Sequence, residues 1–128
     1  MFGLFKKGDK EPVSKIVKMG KHPSYNFNLL LGAKYITSIS IDIDDSAKIA
    51  TIKPITPSNE KYWRCGYGSR LVNIALQCAQ EHGCTKVVGI LDESILNTGK
   101  ERIINFCKKQ NFKIIEVNGS IQLEYIFA

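Results

Sequence analysis

Asn118-Gly119 stands between two strand-like runs, Phe112-Lys113-Ile114-Ile115-Glu116-Val117 and Ser120-Ile121-Gln122-Leu123-Glu124-Tyr125-Ile126-Phe127. Asn-Gly accepts the positive φ angles of a primed two-residue turn, so this C-terminal stretch is predicted to be an antiparallel hairpin. A hairpin alone cannot cover its apolar face, and the rest of the chain must supply the cover. Upstream, Tyr35 to Ile43 alternates. Ile36, Ser38, Ser40 and Asp42 take one face, Tyr35, Thr37, Ile39, Ile41 and Ile43 the other, and Asp44-Asp45-Ser46 marks a turn. Lys48 to Ile55 returns as a second strand, weakened at Pro54. Leu71, Val72, Ala75, Leu76 and Ala79 recur at helical spacing up to Gly83. Lys86 to Leu91 reads as a short buried strand, Lys100 to Gln110 as a second helix, and Tyr25 to Leu31 as a strand ahead of the others. The order, strands combined with two main helices, predicts an α/β (α+β) fold.

The length of 128 residues and the 44% apolar content fit one compact soluble domain with its own core. They exclude a disulfide-stapled mini-protein, and no apolar run approaches the ~20 residues of a membrane span. The four cysteines, Cys65, Cys78, Cys84 and Cys107, form no C-x-x-C pair, so no metal site is expected, and free thiols fit the cytoplasm. Part of the net charge of +6 is concentrated in Lys6, Lys7, Lys10, Lys15, Lys18 and Lys21. Residues 1–34 are therefore read as a basic, Gly- and Pro-punctuated lead-in, and residues 35–128 as the folded domain. Nucleic acid is disfavoured as a partner because the body of the domain is nearly neutral.

The chemistry concentrates in Tyr62-Trp63-Arg64-Cys65-Gly66-Tyr67-Gly68-Ser69-Arg70-Leu71, a glycine turn at a helix start. Backbone N–H groups there lack intrahelical partners and sit at the positive end of the helix dipole, which suits a diphosphate. Arg64 and Arg70 are candidates for charged hydrogen bonds to the same anion. The structural alternative is equally simple: Gly66 turns the chain and Gly68 lets the helix pack closely. No third glycine completes a dinucleotide fingerprint, and no Gly-Lys-Ser/Thr completes a P-loop.

With these residues the chain resembles the GCN5-related N-acetyltransferase (GNAT) superfamily, whose acyl-coenzyme A motif runs Arg/Gln-x-x-Gly-x-Gly/Ala. Gly66, Gly68, Ser69 and Leu71-Val72 match it. Phe106-Cys107-Lys108-Lys109-Gln110-Asn111-Phe112 is similar to the family's Phe-Tyr-x-x-x-Gly-Phe segment. The departures are Trp63 at the leading Arg/Gln position, Cys107 at the tyrosine and Asn111 at the glycine.

The resemblance implies a GNAT-like mixed, mostly antiparallel sheet flanked by the two main helices, with a shortened N-terminal region. The strands ending near Thr56 and Leu91 would splay to admit acetyl-coenzyme A, and its pyrophosphate would rest on the amides from Tyr67 to Arg70. It implies N-acetyl transfer to an amine acceptor, small molecule or protein, with the alternative of a non-catalytic binding or regulatory protein and with homodimer formation open to the chain. Thr56, Arg64, Gly66, Tyr67, Gly68, Ser69 and Arg70 are the expected coenzyme-binding residues. Glu93 and Asp92 are the expected bases, followed by Glu60, and Cys107 stands where the family places its acid.

Overall fold

In a computed structural model, residues 14–54, 66–91 and 100–127 are described. They form seven strands and two helices: β1 (Ser14–Lys21), β2 (Ser24–Leu31), β3 (Lys34–Asp44), β4 (Ile49–Pro54), α1 (Tyr67–Glu81), β5 (Lys86–Leu91), α2 (Lys100–Lys109), β6 (Lys113–Val117) and β7 (Ser120–Ile126). The strands make one sheet in the order β1-β2-β3-β4-β5-β7-β6. β4 and β5 run parallel, and every other neighbouring pair is antiparallel. A parallel pair needs a crossover, which α1 provides.

The predicted hairpin is present, with Asn118 at φ 50° and Gly119 at φ 81°. The β3–β4 turn is held by Asp44, whose Oδ1 accepts from Ser46 N–H at 3.1 Å, Ala47 N–H at 3.0 Å and Ser46 Oγ at 2.8 Å. These bonds to the charged form hold its carboxyl below the usual value.

Residues 14–31, assigned from the sequence to the lead-in and a first strand, form β1 and β2 and belong to the same sheet. β1 is an edge strand whose residues are intermediate or exposed, so Lys15, Lys18 and Lys21 fit there without disturbing a core.

Register sorts the two faces. Phe27 pairs with Ile39, Ile41 with Ile52, and Ala50 with Val87, while Gly89 lies across from both Ile52 and Leu123. These residues share one face and are buried beneath the helices, together with Leu71, Val72, Ala75, Cys78 and Ala79 of α1. The other face carries Asn26, Ser40, Asp42, Thr51, Lys53 and Ile90, and the last of these is 58% exposed. Each helix ends in a left-handed residue with paired reverse bonds. After α1, Gly83 (φ 77°) follows His82, and Cys84 N–H reaches Ala79 O at 3.0 Å. After α2, Asn111 (φ 69°) takes the same place, and Phe112 N–H reaches Cys107 O at 3.0 Å.

Candidate functional site

The two central strands stop pairing before they end. β4 and β5 share rungs from Ile49↔Lys86 to Ile52↔Gly89. β3 nevertheless follows β4 as far as Ile39↔Pro54, and β7 follows β5 as far as Leu91↔Ile121. Each central strand keeps its outer neighbour while losing the inner one, so the sheet opens between residues 53–54 and 90–91. At the other end the pair is closed, with Thr85 N–H donating to Lys48 O at 2.7 Å. Backbone groups that face one another across an opening need partners, and an extended ligand bearing amides supplies them as an added strand would.

Gly89 sits on the last shared rung. A Cβ there would lie 3.2 Å from Ile52 Cγ1 and 3.3 Å from the Ile52 carbonyl oxygen. An isolated glycine inside a Val-Val-Gly-Ile-Leu strand is the sequence sign of such an approach.

Because α1 joins two parallel strands, it runs back along them, and its first turn lies at the open end. Its N-cap, Gly66, has φ 77° and ψ 6° and contributes no side-chain cap, and the first turn contains no acidic residue. The first helical bond is Arg70 N–H to Gly66 O at 3.2 Å, so the amides before it point out of the positive end of the helix. Among the described residues nothing lies within 4 Å of a Cβ built on Gly66.

α2 braces this turn. A Cβ on Gly68 would lie 3.0 Å from Phe106 Cζ, so glycine here lets the two helices meet, the structural alternative named above. Just past α2, Gln110 Nε2 donates to Ser69 Oγ at 2.8 Å. Sequence reasoning missed Phe106 and Gln110 as supports of the turn, since only tertiary packing brings them to it.

The expected site residues fall into three groups. Gly66, Tyr67, Gly68, Ser69 and Arg70 stand together at the start of α1; Tyr67 packs against the core, and Arg70 Nη1 donates to Ser14 Oγ of β1. Thr56, Glu60, Trp63, Arg64, Asp92 and Glu93 lie outside the described residues. Cys107 is only 6% exposed, and burial pushes its thiol up to about 11.

His22 and His82 stack with ring centroids 5.1 Å apart, and His22 Nε2 lies 2.6 Å from Asp45 Oδ2. They tie the β1–β2 turn to the far end of α1, away from the opening. Among the described residues no group of three or more His, Cys, Asp or Glu is placed to hold a metal, and no helix is long and apolar enough to cross a membrane.

Residues 58–115, a little under half of the chain, match the model of the acetyltransferase (GNAT) family. No curated protein matches the chain in sequence. Among solved structures, it is similar to an acetyltransferase from Streptococcus agalactiae, at 22% identity and a TM-score of 0.65, over 82% of this chain and 68% of that one. It is also similar to the PaiA N-acetyltransferase from Thermoplasma acidophilum in complex with coenzyme A, at 14% identity and a TM-score of 0.68, over 82% of this chain but only 62% of that one. A Bacillus subtilis acetyltransferase in complex with CoA, at 12% identity and a TM-score of 0.67, is covered over its whole length, 100%, by 91% of this chain.

Proposed function

We propose that this chain is a member of the GNAT superfamily and transfers an acetyl group from acetyl-coenzyme A to the nitrogen of an amine acceptor; its fold and the matched segment, residues 58–115, support the reading. The observation that carries the reading is the loss of pairing between β4 and β5 beyond Ile52↔Gly89, at the same end of the sheet as the first turn of α1.

In this reading the pyrophosphate rests on the first turn of α1, from Tyr67 to Arg70, where the dipole and the outward N–H groups ahead of the bonded Arg70 amide favour a double negative charge. Arg70 and Arg64 add charged hydrogen bonds. The pantetheine arm lies in the opening as an extended segment bonded to the backbone of β4 and β5, with Thr56, two residues after β4 in the sequence, as a further proposed contact. That fixes the thioester beside the last shared rung, where backbone N–H groups polarise its carbonyl. An acceptor amine attacks once it has lost its proton, and Asp92 or Glu93, directly after β5, takes that proton. Most of the acceleration comes from holding two reactants in line.

The departing group is a thiolate of a thiol with pKa about 8.5, and a proton donor beside it eases its release. Cys107, buried and with its thiol raised to about 11, is a weaker acid than that leaving group. This favours a second reading, a protein that binds the coenzyme without transferring acetyl.

Calorimetry with acetyl-coenzyme A on the wild type and on Gly66→Asp tests the site. The left-handed φ of Gly66 makes an aspartate there cost some stability, but its carboxylate lies against the amides assigned to the diphosphate, so binding should be lost while a thermal melt still shows a folded protein. Equal heats for the two proteins contradict the assignment. A thiol-release assay over a panel of amines then separates transferase from binder.

A further inference from the structure

The face of the sheet opposite the helices holds a cavity of about 300 Å³ lined by Gly20, Ser24, Tyr25, Asn26, Ser40, Asp42 and Lys53. Its residues come from β1 to β4, and its Lys53 wall is one residue past Ile52, at the point where the sheet opens. Resting on the transferase reading above, the geometry points to this cavity as the seat of the acceptor, and to a small diamine as the acceptor's chemical class.

The direction of approach comes first. On the helix side of the last rung, Ile52, Leu91, Ile121 and Leu123 are at most 2% exposed, so no acceptor reaches a thioester from there. On the opposite side Lys53 is exposed and Ile90 is 58% exposed, and Lys53 is also a wall of the cavity. Attack therefore comes from the open face.

The lining then selects the acceptor. Among the described residues Asp42 is the cavity's one carboxylate and Lys53 its one cation, and neither forms an ion pair there. Asp42 Oδ1 accepts from Ser24 Oγ at 2.6 Å, and Ser40 Oγ donates to Asn26 Oδ1 at 2.7 Å, so the floor is polar and internally braced. Register places Asp42 opposite Thr51 and Ser40 opposite Lys53, which makes Asp42 and Lys53 diagonal neighbours. Such pairs are about 7–8 Å apart at their α-carbons.

A monoamine held by Asp42 is parked away from the thioester. A zwitterion whose carboxylate meets Lys53 also turns its amine toward Asp42, away from the reaction. A diamine with four or five carbons spans the distance: one ammonium on Asp42, the other nitrogen at the opening beside Lys53. There the lysine's charge disfavours the protonated form of the second nitrogen, which must be neutral to attack. In the step itself, that nitrogen forms a bond to the acetyl carbon as the carbon–sulfur bond breaks. The nitrogen's proton goes to the base and the sulfur leaves as thiolate, giving an amide and a free thiol.

The test is calorimetry of 1,4-diaminobutane and of 1-aminobutane on the full chain, with and without coenzyme A, for the wild type and for Asp42→Asn. The expected result is tighter binding of the diamine by about tenfold, a difference removed by Asp42→Asn. Heat without coenzyme does not depend on the transferase reading, so the two ideas fail separately: diamine binding at Asp42 with no coenzyme binding overturns the transferase, and the converse overturns this seat. Equal affinities for the two amines, or a diamine affinity unchanged by Asp42→Asn, also overturn it. Thermal melts of Asp42→Asn show whether any loss is only a loss of fold.

Discussion

Ile52 and Gly89 form the last rung between the two parallel strands, and the missing Cβ of Gly89 is what lets them meet there: one added at that position would lie 3.3 Å from the Ile52 carbonyl oxygen. The same atom would be 3.2 Å from Ile52 Cγ1 and 3.5 Å from Leu123 Cδ1, so both neighbouring strands confine it.

Gly89→Ala should therefore push β5 away from β4 at the point where the thioester is placed. Overpacking of this kind costs about 1–3 kcal/mol, reduced here by the alanine's better strand propensity. Denaturant titration should show a lower midpoint, and acetyl-coenzyme A should bind several-fold more weakly. A variant with wild-type stability and affinity would show that the rung has slack.

The Gln110–Ser69 bond should act as one unit in setting the first turn of α1. Gln110→Ala and Ser69→Ala should each cost about 0.5–1.5 kcal/mol, measured as stability or as coenzyme affinity. The double variant should lose no more than the worse single one, the sign of a shared interaction. Fully additive losses would mean that the two residues act separately.

Asn111 fills the left-handed position that closes α2, at φ 69°. Asn111→Gly should be neutral or stabilising in a denaturant titration, whereas Asn111→Ala should destabilise by about 1–2 kcal/mol. The asparagine thus fills a backbone position that suits glycine.

Cys107 carries a pH dependence with a definite sign. Its thiol is raised from 9.0 to about 11 in the fold, so the native state holds this proton more tightly than the unfolded chain does. Its contribution is fully present below pH ~9 and is lost as pH climbs toward ~11, for a total of about 2–3 kcal/mol. Cys107→Ala should flatten that part of the stability profile while lowering stability at neutral pH through the lost packing. Slow alkylation of Cys107 at neutral pH should accompany the profile.

The C-terminal hairpin, both helices and β3 to β5 were legible because each carries a strong local period or a turn residue with a definite φ. β1 was not. Ile16, Val17 and Met19 are interleaved with lysines on a half-exposed edge strand, and Gly20 and Pro23 look like breaks although Gly20 lies inside the strand and Pro23 in the turn after it. The alternation of β3 also blurs at its start, since Ile36, Thr37, Ser38 and Ile39 are all buried. The glycine turn of the candidate site could be read from the chain, as could the two possible uses of Gly68. The opening itself could not, because it depends on where the β4–β5 register ends, and that follows from strands far apart in sequence. Phe106, Gln110 and the Asp42–Lys53 cavity were hidden for the same reason.

The most direct measurement is residue-resolved amide hydrogen exchange with and without coenzyme A. If the opening and the first turn of α1 hold the coenzyme, amides of residues 53, 90 and 91 and those of Gly68 to Arg70 should slow together on its addition, with the closed end around Thr85 unchanged. Unaltered exchange at both segments, or protection confined to other parts of the sheet, would contradict the account.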